Sequence, residues 1–155
     1  MKAIASTFVL VWLMAIDLGS RTLAAEILGA IGGAVGVIPG IELEHLVRPS
    51  PAPPIWLTLA VALVVLLVLF QLSRTNRITE MLAGAGLLAG TIANLLEIFL
   101  NGKMTTFLSV GPEGAPILRF NLADIWIGGA VLLALGDTIF RLGSNSEANS
   151  PKAHD

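Results

Sequence analysis

Apolar residues fall into four long runs, at 3–18, 55–72, 81–100 and 122–140, separated by polar or proline-rich breaks. A helix that crosses about 30 Å of hydrocarbon needs roughly 20 mainly apolar residues. The second run carries no charge and a Val/Leu core, and the first is short but led by Lys2. The pattern predicts an all-α integral membrane protein with four transmembrane helices, spanning about 3–19, 55–72, 81–100 and 122–141. Residues 1–143 then form a single membrane domain, and the polar stretch 144–155 is expected to be a disordered cytoplasmic tail.

The connector between the first two runs is long. Residues 24–40 are rich in Gly, Ala, Ile and Val, and are expected on the outer face as an interfacial helix or a small β flap partly covering the polar edge. Pro49, Pro51, Pro53 and Pro54 keep the next segment from being helical throughout and set the start of the second span. Arg74 and Arg77 lie in the short break between the second and third runs, and Lys2, Arg141 and Lys152 share their side if the helices alternate. Positive charge in short loops stays cytoplasmic, so both termini are expected inside. A rival reading makes the first run a cleaved signal peptide ending near Thr22-Leu23-Ala24-Ala25; Asp17 and Arg21, just before that cut, oppose it.

Composition agrees with a lipid solvent. Of the 155 residues, 55% are hydrophobic and 13% charged, against about a quarter charged in soluble domains. A net charge of −2 gives no basic field for nucleic acid. The chain has no cysteine, which removes disulfides, thiolate metal sites and cysteine nucleophiles. Two histidines, His45 and His154, are too few for a histidine metal cluster, and no cofactor is expected.

The polar residues inside the spans form a second pattern. With four alternating helices, Asp17, Asn94, Glu97, Asn121 and Asp124 fall at the outer level of the bilayer. Ionisable residues within a span are costly and point to function. Each also has a plain structural reading. Asp17 and Arg21 form an i, i+4 pair, Asp124 suits a helix start, and the two amides can join helices. Gly86 and Gly90 stand at GxxxG spacing and permit close packing. Carboxylates gathered at one membrane edge suit general acid/base hydrolysis, one activating water while another holds a proton.

These residues resemble the lipoprotein signal peptidases (signal peptidase II), four-helix aspartic endopeptidases of the bacterial inner membrane. Those enzymes remove the signal peptide from diacylglyceryl-modified prolipoproteins. Phe120-Asn121-Leu122-Ala123-Asp124 reproduces the family's F-N-x-A-D, whose aspartate is one of two catalytic aspartates, so the resemblance assigns that role to Asp124. Asp17 and Arg21 resemble its D-x-x-x-K, with Arg for Lys. Residues 90–97 resemble the stretch ending G-N-x-x-D-R: Asn94 matches, Ala93 replaces the glycine, Glu97 the aspartate, and Ile98 the arginine. Gly102 and Phe107 match the first and last residues of G-x-V-V-D-F, but Thr106 stands where that motif carries the second catalytic aspartate. The family's N-x-G-A-A-F segment has no counterpart in the first loop.

The resemblance implies a site with Asp124 as one catalytic acid, Glu97 as the substitute within reach, and Asp17, Arg21, Asn94 and Asn121 as substrate-holding groups. It implies a multi-pass protein of the bacterial inner membrane. With Thr106 in place of an acid, the expected function is an impaired or inactive relative that binds a lipidated peptide such as a prolipoprotein, a membrane lipid or a membrane protein partner. The alternatives are an active endopeptidase using Asp124 and Glu97, and a small structural subunit of a membrane complex.

Overall fold

A computed structural model describes residues 2–31, 34–50, 53–74, 77–112 and 114–148. Helix α1 (Lys2–Ile31) leads into strands β1 (Val35–Ile38) and β2 (Ile41–Pro49). Helices α2 (Ile55–Arg74) and α3 (Ile78–Asn101) follow, then β3 (Lys103–Val110), β4 (Leu118–Phe120) and α4 (Leu122–Ala148). The strands form one antiparallel sheet in the order β1-β2-β3-β4. Three helical stretches are long and apolar enough to cross a membrane: Ile4–Ile31, Ile78–Asn101 and Leu122–Gly143. In α2 the described apolar stretch is the shorter Leu59–Val68. Large apolar side chains such as Phe8, Trp12, Leu132 and Phe140 stay exposed on the helices, as a lipid-facing surface requires.

Helix α1 differs most from the sequence expectation. It was expected to stop near residue 19, and it continues to Ile31 without a break. The polar group at Asp17, Ser20 and Arg21 interrupts the apolar run but not the helix, because partners within the protein satisfy it. Beyond it, Ala24 and Leu28 are buried against Phe107 of β3, with Leu43, Leu108 and Leu122 around them. Residues 24–40 are therefore not a separate interfacial helix: 24–31 continue α1, and 35–38 form an edge strand. The sheet is larger than a flap, because β3 and β4 from the break between α3 and α4 join it. Helix α4 also runs past its expected end, to Ala148, so the expected tail begins as helix; 149–155 lie outside the described residues.

Helix α3 occupies the centre and packs on α1, α2 and α4. Its buried face is made of small residues, Ala83, Ala85, Gly86, Ala89, Gly90 and Ala93, with Leu88 and Glu97. Gly90 brings α3 against the start of α4, where a Cβ would overlap the Ala123 carbonyl oxygen and stand 2.7 Å from Ile127 Cγ1. The helix ends on Gly102, in the left-handed conformation (φ 60°), whose N–H donates to the Ile98 carbonyl at 2.9 Å. β3 starts at the next residue and turns back over the end of α3.

Candidate functional site

The junction of α1, α3, β3 and α4 holds one hydrogen-bonded network built around Arg21. Asp17 and Arg21 are one turn apart on α1. Arg21 donates from Nε to Asp17 Oδ2 (2.8 Å) and from Nη2 to Asn94 Oδ1 (2.6 Å), and its Nη1 pairs with Glu97 Oε2. Asp17 Oδ1 accepts the Ala123 N–H at 2.7 Å, which ties α1 to the first turn of α4. Asp17 is fully buried, and Arg21 and Glu97 are each 6% exposed. A charge so placed is tolerable only when paired and hydrogen-bonded, and here three helices supply the partners.

Because β3 follows α3 through a single glycine, the Thr105 N–H reaches back to Glu97, 3.1 Å from Oε1 and 3.0 Å from Oε2. Glu97 thus has both oxygens engaged by groups other than Asp124. At the α4 end, Asn121 and Asp124 satisfy each other's backbone: Asp124 N–H donates to Asn121 Oδ1 at 3.0 Å, and Asn121 N–H donates to Asp124 Oδ2 at 3.1 Å. This reciprocal arrangement is a capping box with an amide and a carboxylate in the two roles. Asn121 also donates from Nδ2 to Asn94 Oδ1 (3.1 Å) and to the Thr105 carbonyl (3.2 Å).

Asn94 sits between the two acidic groups. Its Oδ1 accepts from Arg21 and Asn121, which leaves its Nδ2 to donate to Asp124 Oδ1 at 2.9 Å. The six polar residues expected to share a site, Asp17, Arg21, Asn94, Glu97, Asn121 and Asp124, are joined in a continuous network. Thr106 is buried on β3, and its Oγ1 has no hydrogen-bond partner among the described residues. The groups that sequence reasoning missed act through the backbone: the N–H and carbonyl of Thr105, and the N–H of Ala123. The short Ala123 side chain within the F-N-L-A-D run was the one available signal of a close approach. Among the described residues, no group of three or more His, Asp or Glu is placed to hold a metal ion.

The architecture defines a membrane protein whose helical bundle meets a small sheet at a site of three carboxylates, an arginine and two amides, with Asp17, Arg21, Glu97 and Asn121 buried and Asn94 and Asp124 half-buried. The sequence profile of the family Signal peptidase (SPase) II matches residues 43–140. The chain belongs to that family. A bacterial membrane enzyme solved by the in meso method at 2.3 Å superposes with a TM-score of 0.70 at 16% identity, over 97% of this chain and 94% of that one. A second, solved by the same method at 1.9 Å, gives 0.69 at 17% identity, over 86% of this chain and 92% of that one. At these identities the likeness concerns the fold. None of the curated proteins compared with the chain matches it.

Proposed function

We propose that this protein is a signal peptidase II scaffold that holds a lipidated peptide without cutting it at a useful rate. The observation that carries the proposal is the pairing of Glu97. Hydrolysis by an acid pair needs one carboxylate to activate water and another to protonate the departing amine. Asp124 supplies one carboxylate. Thr106, at the family's second position, offers a neutral hydroxyl that cannot share a proton in that way. Of the other carboxylates in the network, Asp17 is fully buried against Arg21 and the Ala123 N–H, and Glu97 is spoken for by Arg21 and the Thr105 N–H. To act on a substrate it would have to leave a buried ion pair, at a cost of about 3–5 kcal/mol.

The proposed topology has four spans, with the 20-residue α2 as the fourth. Both termini face the cytoplasm of a bacterial inner membrane, and the sheet and the distal turns of α1 stand outside. Support comes from the length of α1. The stretch of 28 residues is about 42 Å long at 1.5 Å per residue, more than a hydrocarbon core needs. Arg74 and Arg77, on either side of the α2–α3 connection, fit the cytoplasmic side. The ligand is then a diacylglyceryl-modified peptide that enters from the lipid.

The test uses the purified protein and a diacylglyceryl-modified peptide. The peptide is expected to bind and remain intact in the natural protein, in Glu97→Gln and in Asp124→Asn. Cleavage by the natural protein that disappears in both variants would overturn the proposal and establish a working pair of Glu97 and Asp124.

A further inference from the structure

A cavity of about 400 Å³ lies between α1, the last turns of α3 and strands β2 and β3. Asn94, Thr106 and Asp124 are not part of its lining. Leu18, Leu96 and Leu100 make an apolar wall, and the Arg21–Glu97 pair stands between the cavity and the rest of the polar network. That pair offers little to a ligand, since Arg21 is met by Asp17 and Glu97, and Glu97 by Arg21 and Thr105.

Thr22, Ala25, Asn101 and Thr105 also line the cavity, and His45 and Lys103 stand apart from the rest of the lining. Among the described residues, neither makes a side-chain hydrogen bond or an ion pair. His45 is placed by a β-bulge. Leu43 lies opposite Leu108 and Leu46 opposite Thr106, so Glu44 and His45 together face the single residue Phe107. A bulge re-aims the side chains it carries. Here Glu44 turns to Arg119 of β4 while His45 enters the cavity. Lys103, the first residue of β3, is exposed at the same cavity. The result is an apolar wall with two unpaired nitrogen donors, one of them cationic, at a helix–sheet junction of a membrane protein.

We infer that this cavity binds the phosphate of an anionic membrane lipid, with Lys103 and His45 on the phosphate and Leu18, Leu96 and Leu100 along the start of the acyl chains. The inference is independent of whether a peptide is cut at Asp124. A phosphate also occurs free in solution, so the test separates the two sources. The full chain in detergent is titrated with short-chain phosphatidylglycerol, with the matching diacylglycerol, and with inorganic phosphate, and binding is read by native mass spectrometry. Phosphatidylglycerol binds most tightly. Lys103→Gln weakens it about fivefold, the usual effect of one basic residue on an anionic lipid surface. His45→Phe, which keeps the ring and removes the donor, weakens it about threefold, and Lys103→Arg retains binding. Arg48→Gln removes an equal charge from β2 outside the cavity and changes binding less than about twofold. Equal binding of diacylglycerol overturns the inference, as does equal binding of inorganic phosphate. So does a loss in Arg48→Gln as large as that in Lys103→Gln.

Discussion

Arg21 decides how the polar residues of this protein are used. It is nearly buried, and its guanidinium fork meets Asp17, Glu97 and Asn94 at once. Lysine, a point charge with three donors, would not hold that planar set. Compared with the family pattern, Arg for Lys and Glu for Asp are two changes at the two ends of one ion pair. Charge is kept at both ends. Arg21→Met leaves two buried carboxylates without their cation, and is expected to cost about 3–5 kcal/mol in unfolding free energy. Glu97→Gln is expected to cost less, because its amide oxygen still accepts from Arg21 and Thr105. In a double-mutant cycle the two sites should be coupled by at least about 1 kcal/mol; additive losses would show that the pair is not what stabilises the junction. The motif residues themselves were legible in the sequence, since Asn121, Asp124, Asn94 and Asp17 stand in recognisable spacing. The Asp17–Arg21 pair was legible too, at i, i+4 spacing; the pairings between distant elements were not. Arg21 and Glu97 are 76 positions apart, and the backbone N–H of Thr105 has no sequence signature.

The elements are joined by close approach at small residues. At Gly90 an added methyl would meet the Ala123 backbone, which cannot swing away as a side chain can. Gly90→Ala is therefore expected to destabilise the α3–α4 contact by about 1–3 kcal/mol. Gly86→Ala, whose methyl would lie 3.3 Å from the Trp126 carbonyl and 3.4 Å from Ala130 Cβ, should cost clearly less. Gly102→Ala places a side chain at φ 60° and should cost about 1–2 kcal/mol, besides loosening the Thr105 N–H from Glu97. Thermal unfolding in detergent, with the three variants side by side, checks this order; a Gly86 variant weaker than the Gly90 variant would contradict it. The GxxxG spacing announced this packing. The length of α1 was hidden, because a buried ion pair inside a helix looks, along a sequence, like the place where a span ends. The four-stranded sheet was hidden for a related reason: β4 has only three residues, and the β2 partner of β3 lies across α2 and α3 in the chain.

For the whole molecule, the polar network and the apolar exterior define two solvents. Apolar side chains cover the outside of the helices, while Asp17 and Glu97 are buried and Asp124 half-buried at the junction with the sheet. At the far end of α3, Glu80 receives Arg141 of α4 at 2.6 Å, and Asp137 pairs with the same arginine. The bundle is thus pinned by charge near both ends of the α3–α4 contact. The proposed four-span topology predicts that a reporter fused after Arg74 is cytoplasmic and one fused in the 111–114 loop is external; the reverse placement would invert the orientation and leave the bundle intact. As proposed, the scaffold retains the shape of a peptidase and lacks one acid. The most direct measurement is the single-turnover rate at which Thr106→Asp cuts a diacylglyceryl-modified peptide, against the natural protein under the same conditions. The expected result is cleavage at least about a hundredfold faster in Thr106→Asp, the usual contribution of one acid/base group, with equal peptide binding in both. Cleavage by the natural protein at a rate matching that of Thr106→Asp would contradict the claim.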